Sequence, residues 1–586
     1  MNLSPSAEPP QEYDVVILGA GLAGLTLARQ LLLSGRKTIL MLDRRDDLPP
    51  TDQKVGEATV QASGFYYSKV LELEEYLLCE HYMKYNLRFH WTSAGRDNSR
   101  YEDIAQSYIR SLSNIPTYQL DRNKFEGEVL RRNLLDSAFT LRAPIRQLEV
   151  DLAVGDESHT VRFEDATGPH TARARWVVDA SGRHRVLARK LKLEKKNPIR
   201  HGTSFMWVEG LLDIERLTDL SASERRRHAN RRQLGHVPVM LATNHFCGEG
   251  FWFWVIPLHG ITSLGLVYDS ALVPREDVAT KEKLVEWVCR RFPLFARDLP
   301  NRKIVHHSGF RDYSYDCTQT LSTQRWALTG EAGRFTDPLY SPGGDLIAIH
   351  NTTIADAILG EESALPQKVP AYHQLQRAWY EAYVPSFALT YEVLGDQETY
   401  SLKYTWELTV YFSFYVFPFV NELLTDRAFL PTYIAWFARL GRLNANLQLL
   451  LRDYYRWKKE HCLPNAEPRF FDFTDLGWLK FAEKSFYATG VDAQQGKEEL
   501  ARQLANLEEF GRYIATYVVS SVLERPDLID DAAFVAAIDP RTLAFDPTGF
   551  AKLAEMAGGH GVWEWSFDPR RTGALTPARR MAMAEA

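Results

Sequence analysis

The residues that most constrain the fold of this chain lie near its start, around the run GAGLAG. Before that run, Asp14–Leu18 is a short apolar segment with β-branched members, which is typical of a buried parallel strand. After it come a helical pattern that ends at Gly35 and a second apolar run, Thr38–Leu42, which ends at the acid Asp43. A strand, a glycine-rich turn, a helix and a second strand in this order predict a βαβ unit, and therefore an α/β fold.

The spacing of the three glycines fits a dinucleotide-binding turn. Gly19 permits the tight turn, Gly21 lets a pyrophosphate approach the backbone, and Gly24 lets the helix pack closely on the strand. The helix N-terminus attracts phosphate, and Asp43 is placed to accept hydrogen bonds from an adenosine ribose. A glycine-rich turn in an unrelated α/β domain is the alternative, but it leaves Asp43 unexplained.

Charge and cysteine usage exclude several classes of function. The formal net charge is −6, which gives no electrostatic reason to propose nucleic acid as a partner. Five cysteines are scattered without CxxC spacing, at Cys79, Cys247, Cys289, Cys317 and Cys462. This pattern indicates a reduced, cytoplasmic protein with neither a disulfide framework nor a metal site.

The two ends of the chain and one apolar stretch bear on targeting. Residues 1–12 are polar and Pro-rich, so we expect a disordered lead and not a signal peptide. The basic, Ala-rich stretch from about Asp568 onward is expected to fray. The longest uncharged apolar stretch, Leu408–Asn421, is interrupted by Pro418 and is too short to span a bilayer. We therefore expect a buried helix there and no transmembrane segment; contact of its aromatic side chains with a membrane surface is the alternative.

Three later segments distinguish FAD from NAD. Trp176–Gly182 is a strand that ends in Asp-Ala-Ser-Gly, and Trp326–Pro338 (WALTGEAGRFTDP) is a strand followed by a glycine-containing turn and Asp-Pro. Both segments, and the pair Asp121-Arg122, resemble the FAD contacts of the aromatic-hydroxylase flavoprotein superfamily. The resemblance implies a Rossmann-like FAD-binding domain, and it adds further cofactor-binding residues: Arg122, Asp179, Gly330 and Asp337.

Two motifs narrow the resemblance to the flavin-dependent halogenases. Gly250–Leu258 (GFWFWVIPL) is similar to the WxWxIP motif of that family, through Trp252, Trp254, Ile256 and Pro257. Val55–Thr59 (VGEAT) resembles the strap that lies against the flavin in the family, which implies a cofactor contact at Glu57. A half-buried strand with aromatic residues on one face also produces the alternation, but it does not predict the Ile-Pro end.

A lysine is the expected catalytic residue. The segment His81–Trp91 (HYMKYNLRFHW) resembles the strand that carries the essential lysine of the halogenases, and Lys84 falls on that position. Most lysines are solvated surface residues. Lys69 is the competing candidate, and its surroundings are more typical of a helix surface.

The resemblance covers roughly residues 12–380 and implies a domain arrangement. Residues 13–380 are expected to form the FAD-binding domain, with insertions at about 76–120 and 200–305 that build an antiparallel substrate sheet. Residues 381–586 show helical spacing and are expected to form a helical C-terminal region that covers the substrate cavity.

Two positions depart from the halogenase pattern. In the tryptophan-type enzymes a glutamate assists the lysine, and here that position is Tyr340, which favours a phenol or pyrrole over free tryptophan. The family's halide rests on backbone N–H groups at a glycine segment, here Gly343 and Gly344. Pro342 precedes them and has no N–H, so one expected halide donor is missing. The resemblance also places Gly343 beside FAD.

The resemblance implies an enzyme that uses FADH2, O2 and a halide ion. In the family a flavin hydroperoxide oxidises the halide to hypohalous acid, which the lysine hydrogen-bonds or carries as a chloramine to an electron-rich ring. The substrate is expected to be a small-molecule or carrier-tethered aromatic. The sequence shows no second glycine fingerprint for NAD(P)H, so a separate flavin reductase is expected to supply FADH2.

Two further interpretations of the function stay open. The first is a flavin-dependent monooxygenase or dehydrogenase on the same scaffold that does not use halide. The second is a flavin-binding protein without turnover, which the retained Trp252, Trp254 and Lys84 disfavour.

Overall fold

The computed structural model describes residues 10–35, 37–229, 231, 238–555, 557–558 and 561–568. The chain divides into two compact units. The first unit is Met1–Tyr82, Ile115–Ile199 and Tyr313–Glu381, and the second is Met83–Asn114, Arg200–Asp312 and Ala382–Ala586. The domain division expected from the sequence remains a prediction.

The strands fall mostly before residue 330. In chain order they are β1 Gln11–Leu18, β2 Ile39–Leu42, β3 Tyr82–Met83, β4 Leu87–Trp91, β5 Ala105–Tyr108, β6 Tyr118–Gln119, β7 Phe139–Arg142, β8 Gln147–Asp151, β9 His159–Asp165, β10 Gly168–Asp179, β11 Glu194–Lys195, β12 His201–Glu209, β13 Thr243–Gly248, β14 Phe251–Leu258, β15 Ile261–Asp269, β16 Ile304–Phe310, β17 Asp316–Cys317, β18 Trp326–Leu328 and β19 Phe470–Asp472.

The helices dominate the second half of the chain. In chain order the α-helices are α1 Leu22–Leu33, α2 Gln61–Phe65, α3 Glu74–Glu80, α4 Arg122–Leu134, α5 Val186–Lys190, α6 Ala222–Arg227, α7 Lys281–Arg291, α8 Pro342–Leu359, α9 Leu365–Ala388, α10 Gln397–Val410, α11 Phe417–Val420, α12 Leu430–His461, α13 Gly477–Ser485, α14 Ala493–Leu523, α15 Ala532–Ala537 and α16 Pro547–Ala554. Tyr66–Val70 and Tyr411–Val416 are π-helical, and Tyr391–Gly395 is a 3₁₀ turn.

The first unit is built on a parallel sheet. β1 lies between β2 and β10 and pairs in parallel with both, while β7 pairs with β2 and β18 with the end of β10. Val15, Val16 and Ile17 are fully buried in β1, as expected for a central strand covered on both faces. The α/β fold class is thereby confirmed.

β1 begins at Gln11, inside the expected disordered lead. Gln11 and Glu12 pair with Ala172 and Arg173 of β10, and this backbone pairing makes residues 11–12 part of the sheet. Residues 1–9 of the expected lead and the tail beyond Asp568 lie outside the described residues.

The second unit contains a largely antiparallel sheet of strand order β16-β12-β15-β14-β13-β4-β5-β19. One face packs on α7, because Phe251, Phe253 and Val255 of β14 share a hydrophobic core with Trp287 and Val288. The strands come from both segments in which the sequence predicts insertions. β19 joins the edge of the sheet from the C-terminal region, and no sequence pattern indicated it.

The apolar stretch Leu408–Asn421 is buried within the helical part of the second unit. It runs from the end of α10 through the π-helix Tyr411–Val416 into α11, and Phe414 and Val416 are fully buried. Within the described ranges, no helix combines the length and the apolar character needed to cross a bilayer.

Candidate active site

The three glycines of GAGLAG form a turn that leaves room for a ligand at one position. Gly19 has a φ of +114°, and a Cβ on it would lie 2.4 Å from the Ala180 carbonyl oxygen. A Cβ on Gly24 would lie 2.1 Å from the Gly19 carbonyl oxygen, whereas one on Gly21 would meet no protein atom within 4 Å. Gly19 and Gly24 are therefore required by the packing, and Gly21 borders the open space at the start of α1. This geometry fits a pyrophosphate.

Asp43 ends β2 beside this turn, and its carboxylate is fully engaged. Oδ2 accepts from Ala20 N at 2.6 Å and from Arg45 Nη2 at 2.8 Å, while Oδ1 accepts from Arg45 N and Nε, both at 2.9 Å. Burial raises the pKa of Asp43, but these hydrogen bonds outweigh burial and lower the pKa below its ordinary value. The contact of Asp43 with a ribose stays a prediction, and it requires Arg45 to move.

Asp179 and Asp337 are also bound by protein donors. Asp179 ends β10 and accepts from Ser181 N at 2.9 Å and Leu187 N at 2.7 Å, and burial raises its pKa. Asp337 accepts from Tyr313 Oη at 2.8 Å and Leu339 N at 2.9 Å. Both carboxylates hold the loops that follow the parallel strands.

Gly330 lies close to the first helix of the dinucleotide turn. It has a φ of +59°, and a Cβ there would lie 2.9 Å from Cβ of Ala23. The turn after β18 thus packs directly on α1, which brings two predicted cofactor segments together.

The strap around Gly56 lies against Arg122. Arg122 Nη1 donates to Val55 O at 2.8 Å, and a Cβ on Gly56 would lie 2.7 Å from the same nitrogen. The strap also pairs with the segment before α4, since Leu120 N donates to the backbone oxygen of Glu57 at 2.6 Å. The structure therefore brings the predicted residues Glu57 and Arg122 into one cluster.

A buried carboxylate fixes the guanidinium of Arg122. Glu126 Oε1 accepts from Arg122 Nε at 3.1 Å and from Nη2 at 2.6 Å, and its other oxygen pairs with Lys54. Burial raises the pKa of Glu126, but the two cations outweigh burial and lower it. Such a charge-assisted, two-point contact sets the direction of the remaining Arg122 donors.

The backbone before α8 is strained. Tyr340 and Ser341 have φ values of +69° and +59°, which non-glycine residues adopt at a cost. These two residues place Pro342 at the first position of α8, where a missing N–H costs the helix nothing.

The first turn of α8 carries Gly343 and Gly344. A Cβ on Gly343 would lie 3.1 Å from the Phe335 ring, and one on Gly344 would lie 2.8 Å from Cβ of Ser63. Backbone N–H groups in a first helical turn have no intrahelical acceptor and favour anions. Asp345, also in this turn, accepts from Ser63 N at 2.8 Å.

In the second unit, the WxWxIP residues lie on β14, which is buried along its length. Trp254 Nε1 donates to Ser263 Oγ at 3.0 Å, and a Cβ on Gly265 would lie 2.2 Å from the Trp254 ring, so glycine is needed opposite it. Trp252 Nε1 donates to Tyr391 Oη. Ile256 and Pro257 complete the strand and pair with Ser263 and Thr262 of β15.

Lys84 is buried, with 1% of its surface exposed. It lies in the short segment between β3 and β4, not within a strand. Its positive charge lowers the pKa of His245, so the two side chains are within electrostatic reach of each other. Lys69 is different: its side chain is 50% exposed and pairs with Glu74 at 2.5 Å.

Several residues of the two units were not found from the sequence. Arg45 donates to Asp43, the predicted ribose acceptor. His245 lies among the aromatic residues of the sheet, and the Tyr391 hydroxyl accepts from Trp252 of the WxWxIP motif. Arg45 follows Asp43 by two positions, which was the only local signal. His245 and Tyr391 are brought to β14 by the topology, and nothing near them in the sequence indicated this.

Comparison with known proteins identifies relatives of the chain. The flavin-dependent halogenase chlA of Dictyostelium discoideum is 27% identical over 359 residues, which are 58% of this chain and 58% of that protein. The 1H-pyrrole-2-carbonyl-(peptidyl-carrier protein) chlorinase of Pseudomonas fluorescens is 26% identical over 363 residues, 59% of this chain and 75% of that protein. The chain thus spans little more than half of the length of the first relative. No protein-family profile matches it.

A solved structure has the same fold. The halogenase PltM in complex with phloroglucinol and FAD superposes with a TM-score of 0.54 at 16% identity, covering 91% of this chain and 100% of that chain. The resemblance expected from the motifs is confirmed by these comparisons. This chain is a homologue of the flavin-dependent halogenases and shares their fold.

Proposed function

We propose that this chain is a halogenase that uses FADH2, O2 and a halide ion to halogenate an electron-rich aromatic ring of the phenol or pyrrole type. The observation that carries the proposal is the buried Lys84 in the unit that holds the WxWxIP strand. Most lysines are exposed, so a buried one at the position of the family's essential lysine supports the assignment. In a homologue of halogenases, a buried amine beside an aromatic sheet face suits the guidance of a hypohalous acid.

The residues of the first unit fit FAD. Open space borders Gly21, while Gly19 and Gly24 allow the turn and the helix to approach closely. Arg122, fixed by Glu126, lies against the strap, and the start of α1 favours the pyrophosphate. Reduced FAD, together with O2, supplies the two-electron oxidation that turns halide into hypohalous acid.

Gly343 and Gly344 are proposed to hold the halide. Their N–H groups lie in the first turn of α8, where a helix favours anions. Pro342 has no N–H to offer, but its place at the start of α8 costs the helix no hydrogen bond. The N–H groups of Gly343 and Gly344 remain as the two proposed halide donors. The hydrogen bond from Ser63 N partly offsets the negative charge of Asp345.

The substrate class rests on two supports. Tyr340 stands where tryptophan-type enzymes have a glutamate. The relatives include a chlorinase of carrier-bound pyrrole-2-carbonyl groups, and the structural neighbour binds phloroglucinol, a phenol. Either a free phenol or a pyrrole on a carrier protein is therefore the proposed class, and a flavin reductase is the proposed partner.

A halide-independent oxygenase or dehydrogenase is the second candidate. Pro342 removes one backbone donor, and Asp345 places a carboxylate in the same turn; both features weaken an anion site.

One assay separates the two candidates. The protein is supplied with FADH2 from a flavin reductase, O2 and a panel of phenols and pyrroles, free and carrier-bound, across a titration of chloride and bromide. We expect products whose mass carries halogen and whose yield depends on halide. Halogen-free product that forms equally well without halide would establish the second candidate instead.

A further inference from the structure

His245 lies at the centre of an aromatic cluster on the sheet of the second unit. It is paired with Phe89 of β4 on one side and Trp254 of β14 on the other. Its ring stacks on Phe89 with centroids 4.9 Å apart and lies 5.1 Å from the Trp252 ring. Tyr400 and Tyr404 of α10 cover Phe89, each at 4.8 Å. His245 is thus held among flat apolar groups of the kind that bind an aromatic ring.

One nitrogen of His245 is fixed as a donor. Nδ1 lies 3.2 Å from the Arg88 carbonyl oxygen, and a carbonyl only accepts, so the proton of the neutral ring is on Nδ1. Nε2 then carries the lone pair of the neutral ring, so this nitrogen can only accept a proton or a hydrogen bond.

The ring stays neutral in the folded protein. Burial and, to a smaller extent, the positive charge of Lys84 lower the pKa of His245 to about 3. Nε2 is therefore an acceptor at every pH at which the protein is expected to work.

The proposed reaction needs a base. Transfer of halogen from hypohalous acid to a ring carbon gives a cationic arenium ion, which must lose its C–H proton before the ring becomes aromatic again. An arenium ion is a far stronger acid than an imidazolium ion, so even a weakly basic imidazole accepts this proton. Tyr340 stands where the tryptophan-type enzymes have a glutamate. That position therefore offers no carboxylate to act as the base.

We propose that His245 Nε2 removes the ring proton from the halogenated arenium ion, next to Lys84, which positions the oxidant. The inference rests on the proposed halogenase function. The C–X bond forms as the X–O bond breaks, the departing hydroxide takes a proton from the Lys84 ammonium to become water, and the C–H electron pair returns to the ring as His245 takes the proton. The sum is ArH + HOX → ArX + H2O. The positive charge lies first on Lys84, then on the arenium ion and then on His245, and return of the proton from His245 to Lys84 closes the cycle. The site therefore holds a single positive charge at every stage, which avoids burying a second charge.

The test is a ring-deuterium isotope effect in single turnover. His245→Phe keeps an aromatic ring in the stack and lacks the base. His245→Asn offers an amide N–H for Arg88 O and also lacks the base. With a ring-deuterated phenol or pyrrole that the wild type halogenates, we expect both variants to slow halogenation by about 100-fold, the low end of typical general-base contributions. We also expect a normal primary isotope effect that the wild type does not show, because proton loss becomes rate-limiting.

His90→Phe is the matched control. His90 is the neighbour of Phe89 on β4, is equally buried, and stacks on Phe246 at 4.5 Å, with Nε2 bound to Asn244 at 3.0 Å. Adjacent strand residues face opposite sides of a sheet, so this variant should show no isotope effect. Variants of His245 that halogenate without an isotope effect and at the rate of the control would overturn the inference while leaving the proposed function intact. A wild type that halogenates none of the panel would overturn both.

Discussion

The glycines of the GAGLAG turn differ in what a side chain would meet. A Cβ on Gly21 has no protein atom within 4 Å, while a Cβ on Gly24 would lie 2.1 Å from Gly19 O. We expect Gly21→Val to unfold at the wild-type temperature without FAD, yet to lose FAD binding, because its side chain fills the space for the pyrophosphate. Thermal unfolding and isothermal titration with FAD measure the two effects.

Gly24→Val is the control for that substitution. It should lower the unfolding temperature even without FAD, since the backbone of the turn must shift. A folded Gly21→Val protein with normal flavin content would show that the pyrophosphate does not bind at this turn.

Lys84 allows a second test at the scale of one side chain. Lys84→Met keeps most of the buried volume and removes the amine, so we expect unchanged FAD affinity and a loss of halogenated product of at least about 100-fold, as for other positioned catalytic groups. Flavin titration and product mass spectrometry give the two values.

The exposed Lys69 provides the comparison. Lys69→Met should leave product formation unchanged, because its side chain is half exposed and pairs only with Glu74 among the described residues. Wild-type turnover by Lys84→Met would remove Lys84 from the mechanism.

At the scale of the element, we expect the start of α8 to set the halide requirement. Pro342→Ala restores a backbone N–H in the first turn, and a hydrogen bond to a charged group contributes about 1.5–3 kcal/mol. If that N–H reaches the halide, the apparent halide affinity should rise by roughly 10- to 150-fold. A chloride titration of product yield measures the change.

Pro547→Ala is the matched variant, since Pro547 also begins a helix, α16, and lies in the second unit. It should leave the halide dependence unchanged. Equal halide curves for Pro342→Ala and wild type would mean that a backbone N–H at position 342 does not reach the halide.

Elements whose signal is local were predictable from the sequence. β1, α1 and β2 follow from one continuous glycine and apolar pattern, and β14 follows from its alternating aromatic residues. β19 pairs with β5 at the edge of the sheet. Its three residues are too few to show a pattern from which this pairing could be predicted. The hydrogen bonds from the Arg45 side chain to Asp43 depend on side-chain rotamers, which the sequence does not specify.

At the scale of the whole molecule, buried histidines make stability depend on pH. Burial is the largest cause that lowers the pKa of His90, His245 and His350 from 6.5 to about 3. Between these values the unfolded chain binds protons that the folded chain does not, so stability is complete above pH 6.5 and falls as the pH decreases. Within this range each histidine adds about 1.4 kcal/mol per pH unit to the slope of the unfolding free energy against pH.

Urea unfolding across this pH range checks the expectation. His90→Gln and His350→Gln should each have a shallower dependence of unfolding free energy on pH than wild type, by about one histidine's slope. Identical slopes in wild type and both variants would show that these rings are protonated in the folded state.

The turn Tyr391–Gly395 is joined to the sheet by two indole groups. Trp252 Nε1 donates to Tyr391 Oη, Trp91 Nε1 donates to Leu394 O at 2.8 Å, and the His201 ring stacks on Tyr391 at 3.8 Å. The C-terminal helices are therefore attached to the sheet through a tryptophan of the WxWxIP motif. Exchanging these helices for those of a homologue would also exchange the acceptor of that indole N–H, so such a chimaera keeps the contact only if a hydroxyl stands at position 391.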